Sequence, residues 1–570
     1  MSETFESEFR GRYLRYDEIV VVLERWQRAY PEWVRLMTIG QSPTGRRLLA
    51  LDIGPEPDRR RPSVMVTANM HAAELAGSSV ALSIAESVIR MHAEPGFVPA
   101  DVPASLLDVL REVRLIVVPR IAVDGADTVL DDGRYVRSVP RDGRSSLQAP
   151  YWLPSDLDGN GRVLTMRIPH PTGEFVEIDA ASGLMAPRQI EDTPPYYNVY
   201  PEGTIQNFDG TLPHGWALPE GTIDLNRNFP WTWRPEPEQE GAGAYPASEP
   251  EARAIVELAT SMPELFVWID FHTYGGVYIR PHGAKSDKQM EQADLGVYRQ
   301  IETWAEQLTG YPMVSGYEEF TYQPDKPIYG DLADYAYHQR GCVSYVCELH
   351  DLFKQVGFER IKPFVDHYGR FTREDLLAVG RWDREHNEGR AFRPWTSVEH
   401  PQLGTVEVGG VDPMIGFWNP PMDQLAGVCA RQVALSLRVF CLVPRIALAT
   451  PRVTPLGGDA YRVTVEVQNR GYLPSYGVDA AREREHSEPL FVEANAQGCV
   501  LSEAATSRQA LGHLAGWGRG LYRHGPPSHH RSAGGCTSKT VTWIVVGQGS
   551  LKLRAGSCRV GWVETTIEIP

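Results

Sequence analysis

Hydrophobic positions divide the first fifty residues into two rhythms. Ile19, Leu23, Trp26 and Tyr30 keep the spacing of one helix face, and Pro31 closes the run. Residues 34–39 and 48–53 are strand-like, and the polar turn Gln41-Ser42-Pro43-Thr44-Gly45 between them predicts a β-hairpin. Beyond it, apolar runs alternate with amphipathic stretches. Residues 64–70 and 113–119 read as buried strands, and Val80, Ile84 and Val88 mark one face of a helix between them. Ser248 and Pro250 open a further helix over 249–262, and 265–271 and 343–347 are two more strands. Strands alternating with helices predict an α/β fold with a mainly parallel, doubly wound mixed sheet.

That rhythm breaks twice. Between about 131 and 222 the chain is rich in Pro, Gly, Asp and Tyr, which predicts a long surface insertion. From about 445, short alternating runs at 461–467, 540–546, 551–553 and 563–569 predict a second, smaller all-β sandwich domain. The expected division is 1–444, with residues near 400–430 wrapping the edge of the α/β part, and 445–570. The Gly- and His-rich stretch 506–538 yields no assignable element.

Composition narrows the partners more than the reaction. The 570 residues carry 56 Lys and Arg against 73 Asp and Glu, a formal charge of −17. Such a surface repels phosphate backbones and anionic lipid, so neither nucleic acid nor a membrane is expected as a partner. MSETFESEFR lacks a secretion-signal pattern and no apolar run reaches spanning length, so a cytoplasmic location is expected. The 7 cysteines are widely spaced without a C-x-x-C pair, which fits reduced thiols.

Four polar residues stand where apolar strands end. His71 follows VMVTANM, Arg120 follows VRLIVVP, His272 follows FVWIDF and Glu348 follows VSYVC. In open parallel sheets the carboxyl ends of the strands border the ligand crevice, so these residues are expected to converge. His71 and Glu74, close together at a strand-to-helix turn, form with His272 an N/O donor set that leaves a fourth position open. That is the pattern of a catalytic rather than a structural zinc site. In Asp224-Leu225-Asn226-Arg227-Asn228-Phe229-Pro230, the Arg227 guanidinium offers a rigid fork for a carboxylate and the flanking amide a further donor. This chemistry suits the free C-terminus of a peptide.

Together these residues resemble the M14 family of zinc carboxypeptidases, in its bacterial branch. GQSPTGRRL, HAAE, IDLNRNFP, GAYPASEPEARAI, IDFHTYGG and VSYVCELHD occur in that family's order over about residues 10–430. The resemblance implies one catalytic Zn²⁺ held by His71, Glu74 and His272, with Asn226 and Arg227 binding the terminal carboxylate of a peptide substrate. It implies Glu348 as the catalytic carboxylate and Tyr322 as the mobile tyrosine that closes over the substrate, with Tyr329 as its rival. Family members stabilise the carbonyl oxygen with an arginine; Arg167, in RVLTMRIP, is the expected match, ahead of Arg137 and Arg120. The implied reaction is hydrolysis of C-terminal residues from peptides by a metal-activated water. The same motifs allow two alternatives: a zinc deacylase or amidase acting on small N-acyl amino acids, and a non-catalytic peptide-binding protein.

Some positions depart from the family pattern or carry weaker signals. Ala73 stands where the vertebrate digestive enzymes have an arginine. Ala333, before Asp334, leaves room for a large apolar terminal side chain, whereas Asp331 would attract a basic one. Asp156-Leu157-Asp158-Gly159-Asn160-Gly161 copies half of a calcium loop, but its last ligand position is Arg167, so an Asx-rich turn is expected. His350 and Asp351 are expected to hydrogen-bond around the site, and His524, His529 and His530 to lie in a solvated loop. Residues 469–472 read as a hairpin turn.

Overall fold

A computed structural model describes the whole chain except residues 1–4, 6, 142–147, 216–221, 324–325, 485–486, 503–505, 522–531 and 533. His524, His529 and His530 lie outside the described residues.

Near-continuous apolar runs such as VMVTA and LFVWIDF can be satisfied only by burial on both faces, which places them in the middle of a sheet. The strands Ser63–Ala68 and Leu265–Thr273 are buried at every position. They sit at the centre of an eight-stranded mixed sheet whose order is Val34–Gln41, Arg47–Ile53, Arg114–Val118, Ser63–Ala68, Leu265–Thr273, Val343–Leu349, Val277–Arg280, Met313–Ser315. The four strands from Arg114–Val118 to Val343–Leu349 run parallel, and the expected hairpin forms an antiparallel edge. The helix Ala76–Ala93, its apolar face as expected from Val80, Ile84 and Val88, packs on this sheet and against the helix Met422–Phe440.

The insertion is not a run of loops. Its strands Thr165–Pro169, Phe175–Asp179, Leu184–Pro187 and Tyr197–Pro201 join Phe392–His400 and Gly404–Val411 in a separate six-stranded antiparallel sheet. Residues 392–411 therefore complete the insertion rather than wrap the main sheet. The C-terminal residues form a five-stranded and a four-stranded antiparallel sheet. Val463, Val465 and Val467 point inward at alternate positions, and the buried residues of both sheets belong to an apolar core continuous with that of the α/β part. The hairpin expected at 469–472 is absent, because Ala460–Asn469 pairs with Ile446–Leu448 and Ser538–Val546, not with the segment that follows it. Asn469 instead leaves the sheet with its buried side chain accepting from the amides of Arg445 and Gly471.

All seven cysteines are free thiols. Among the described residues no helix is long and apolar enough to cross a membrane.

Candidate metal and substrate site

Three neighbouring parallel strands deliver the polar groups. His71 lies just past the end of Ser63–Ala68, His272 is near the end of Leu265–Thr273, and Glu348 is the register partner of His272 on Val343–Leu349. Registered residues on adjacent strands project from the same face about 5 Å apart, so Glu348 stands beside the imidazole without help from a loop.

The turn that carries His71 is held from below. Asn69 is left-handed, with φ 54°, and its amide donates to the carbonyls of His71 and Ala72 at 2.8 and 3.3 Å. Arg120 donates to Asn69 Oδ1 at 2.9 Å and to the Leu14 carbonyl at 2.8 Å, so it braces this turn instead of facing the cleft. Gly125 lets the helix Val123–Asp132 press against the same turn: a Cβ there would stand 2.1 Å from the Ser138 carbonyl and 2.7 Å from Ala72.

His71 Nδ1 lies 2.7 Å from Glu74 Oε1 and 3.0 Å from His272 Nδ1, which is itself 3.0 Å from Glu74 Oε2. The outer nitrogens are committed elsewhere. His71 Nε2 meets Asp224 Oδ1 at 3.1 Å, and His272 Nε2 meets Asp270 Oδ2 at 2.7 Å. Carboxylates accept, so in the tautomer that gives each Nε2 proton to its aspartate each Nδ1 presents a lone pair toward Glu74. Two imidazole lone pairs and a carboxylate thus converge, and the buried Glu74 Oε2 has no hydrogen-bond partner. Donor atoms so arranged repel one another until a cation, or a second proton, enters among them. One atom from each residue falls within 4.8 Å of the others, and the His₂Glu set fits zinc with a position left open.

The field here has the matching sign. Burial opposes charge on Glu74, but His71 and His272 outweigh it and hold the carboxyl at about 2. On His272 burial is likewise outweighed, by Asp270 and Glu74, which push its pKa up; the anions that draw a proton would equally draw a metal. Glu348 shifts the other way: burial and then the Glu74 charge push it up to about 8. Asp270 is fixed in turn, because its Oδ1 accepts from Thr67 Oγ1 at 2.6 Å and that oxygen accepts from Trp268 Nε1 at 3.0 Å.

Asp224 knits this cluster to a cationic wall. It accepts from the Asn226 amide at 2.8 Å and from Arg137 Nε at 3.0 Å, while Asn226 Oδ1 accepts from the Leu332 amide at 2.8 Å. The Arg227 guanidinium donates to the Asn226 carbonyl at 2.7 Å and has no carboxylate partner among the described residues. His71, His272, Glu348, Arg137, Asn226 and Arg227 line one cleft, with Tyr322 at its mouth, 60% exposed. Tyr329 does not line it; its ring lies under Arg234.

The structure brings together His71, Glu74, His272, Glu348, Asn226, Arg227 and Tyr322, but not Arg120, which braces the turn from below, nor Arg167. That residue is in the insertion strand Thr165–Pro169, paired with Glu407 at 2.8 Å and Glu177 at 3.2 Å and stacked over Tyr197 and Trp395. A guanidinium committed to two carboxylates and two rings in another sheet has no face left for the cleft, and Arg137 stands there instead. Arg137 lies at the very start of the insertion, close behind the α/β rhythm, while Arg167 lies deep within it. Asp224 and Asp270, not singled out from the sequence, fix the two imidazoles. His350 and Asp351 do not reach the cluster: His350 Nε2 meets the Gly416 carbonyl at 2.8 Å, and Asp351 caps the helix Leu352–Val356. Asp156, Asp158 and Glu202 also lie near one another. Asp156 accepts from the amides of Gly159, Asn160 and Gly161, and both Glu202 oxygens accept from Leu157 and Leu164, the Asx-rich turn expected.

The family model for zinc carboxypeptidase matches residues 19–160 and 204–366, more than half of the chain, and a domain of unknown function matches 445–568. Mast cell carboxypeptidase A of Homo sapiens is 31% identical over 172 residues, which cover 27% of this chain and 38% of that protein. Among solved structures, thrombin activatable fibrinolysis inhibitor aligns at 16% identity over 78% of this chain and 77% of its own, with a TM-score of 0.45. A metallo-carboxypeptidase from Burkholderia cenocepacia aligns at 13% identity over 74% and 69%, with a TM-score of 0.36. The chain belongs to the zinc carboxypeptidase family.

Proposed function

We propose that this protein is a metallocarboxypeptidase that removes single C-terminal residues from peptides, with 1–444 as its catalytic part and 445–570 as a second domain. The observation that carries this reading is the position of Arg227. It is free of carboxylate partners among the described residues and shares one cleft with the His71–Glu74–His272 cluster and Glu348. A guanidinium fork grips a free terminal carboxylate through two parallel bonds, and Asn226 adds an amide donor. Anchoring the terminus in this way presents the last peptide bond, not an internal one, to the cluster.

His71, Glu74 and His272 would hold one zinc ion, which when bound supplies a Lewis acid that polarises the scissile carbonyl and acidifies water. Glu348 accepts a proton from the attacking water and passes it to the leaving amine nitrogen. Its raised pKa, from burial and Glu74, favours the protonated form needed for that second transfer. Arg137 stays charged against burial because Asp224 faces it, and it donates to the carbonyl oxygen as negative charge develops there. Tyr322, at the mouth, covers the bound residue. Of the two expected preferences, the cleft favours a basic terminal side chain, since Asp331 lines it with a buried Oδ2 that has no hydrogen-bond partner.

The test is hydrolysis of peptides with free and amidated C-termini by the zinc-loaded protein, a chelator-treated sample and Glu348→Gln. Release of single terminal residues only from free termini, lost in both controls, is the expected result, with Lys or Arg termini cut fastest. Turnover of N-acyl amino acids but of no peptide would replace this reading with the deacylase. A stoichiometric peptide complex without cleavage would replace it with the binding protein.

A further inference from the structure

The chain carries excess acid, yet one groove reverses the sign. It follows the seam where residues 59–62, the helix Leu107–Glu112 and residues 443–446 meet Val560 and Trp562 near the C-terminus, and its volume is about 370 Å³. Arg59, Arg60, Arg61, Arg111 and Arg445 line it with Asp108 and Glu112, and Glu56 beside it pairs with Arg59 at 3.0 Å and with Arg61 at 3.1 Å. Arg60 and Arg445 have no carboxylate partner among the described residues, and Arg111 comes no nearer than 3.8 Å to Asp108. Arg61 is buried and its acid partner, Glu56, is exposed. The rest of the lining, including Val113, Val443, Val560 and Trp562, is apolar.

The surroundings register this excess of positive charge. Burial, then Arg59, lowers the Arg61 pKa; burial, then Arg111 and Arg61, lowers His92 to about 4. Guanidinium groups gathered on partly apolar walls repel one another, and an anion with several charged oxygens relieves that repulsion while using their forked donors. Arg60, just before the main-sheet strand Ser63–Ala68, and Arg445, at the start of the C-terminal part, line the same groove, so an anion with more than one charged group can meet both.

We propose that this seam is a binding site for a small polyanion, one with two or more phosphoryl or carboxylate groups. It is separate from the cleft: Arg61 precedes Ser63–Ala68 and His71 follows it, so the two sites lie at opposite ends of one strand, roughly 20 Å apart. Ligand here does not compete with a peptide for Arg227.

Calorimetric titration of the full chain with pyrophosphate, and in a second arm with citrate, tests this. Saturable binding that quenches Trp562 fluorescence and weakens with added salt is expected, the tighter arm telling phosphoryl from carboxylate recognition. Arg60→Gln with Arg445→Gln should weaken it about tenfold or more, by loss of two charge-assisted contacts. Arg28→Gln with Arg299→Gln, which removes the same charge from exposed sites elsewhere, should leave it unchanged. Circular dichroism of both double variants establishes that they fold. The proposal is overturned if neither anion saturates the protein by about 10 mM, or if the two double variants lose binding equally.

Discussion

The two ends of the central strands hold arginines in opposite circumstances. At the carboxyl ends, Arg137 faces Asp224 at 2.9 Å and Glu74 at 3.8 Å, in a cleft open to solvent. At the amino ends, Arg559 is fully buried and meets no carboxylate among the described residues: it donates to the carbonyls of Pro263 at 2.6 Å, Gly341 at 2.9 Å and Tyr476 at 3.4 Å, over the Phe266 ring. Pro263 and Gly341 lie just before Leu265–Thr273 and Val343–Leu349, the strands that carry His272 and Glu348 at their far ends. Gly477 makes the approach possible, since a Cβ there would stand 2.6 Å from the Gly341 carbonyl. Charge is set against charge along the cleft at one end; at the other, charge bound to backbone carbonyls ties the sheet to the C-terminal sandwich. The sandwich thus braces the strands that carry His272 and Glu348, although none of its described residues lines the cleft.

Substitutions at the two arginines should separate the roles. Arg137→Ala should lower kcat per folded molecule by about 10²–10³-fold, the usual loss on removing one donor to a developing oxyanion, beyond whatever stability is lost by leaving Asp224 without its partner. A drop in stability that fully accounted for the lost activity would reduce Arg137 to a brace. Arg559→Met should do the reverse. It leaves buried carbonyls without donors, which should cost about 3 kcal/mol in chemical denaturation, while kcat per folded molecule stays the same. If the variant were as stable as the parent, the seam would be an incidental contact.

The α/β sheet and the cluster at its edge were legible in the sequence because both rest on local signals. Apolar strands such as VMVTANM and FVWIDF fix where the chain emerges, and His71, His272 and Glu348 follow from those emergence points. What stayed hidden depends on pairing over long separations. Thr165–Pro169 finds its partner in Gly404–Val411, and no periodicity in either run announces the other. Arg167 was misplaced for that reason: read along the chain it is one more arginine near the motifs, and only the second sheet shows it facing Glu407. Asp270 was hidden differently. Within FVWIDF it looks like a polar interruption of a core strand, and its purpose appears only when His272 Nε2 is found 2.7 Å away.

That contact gives the next effect in size. Asp270→Asn keeps the shape but replaces an anionic acceptor with a neutral group, so His272 loses the partner that orients it and raises its basicity. Zinc affinity, read by competition with a chromogenic chelator, should fall about 10–100-fold, as for other carboxylates behind ligating histidines. Binding of the seam anion should not change. Equal zinc affinity in Asp270→Asn and the parent would mean that strand geometry alone orients the ring.

The smallest effect on catalysis belongs to Arg167→Ala, and it tests the arginine assignment most directly. Arg167 packs between Tyr197 and Trp395, and its partners Glu177 and Glu407 keep 24% and 33% side-chain exposure. Removing it costs two ring contacts, but both carboxylates can recover water. The insertion sheet should therefore lose only about 1–2 kcal/mol, seen as faster amide exchange in Thr165–Pro169. With no face in the cleft, its loss should leave kcat within about twofold of the parent, far from what loss of an oxyanion donor produces. A hundredfold fall in kcat on Arg167→Ala, beside a silent Arg137→Ala, would return the oxyanion role to the insertion and require the second sheet to close over the cleft during turnover.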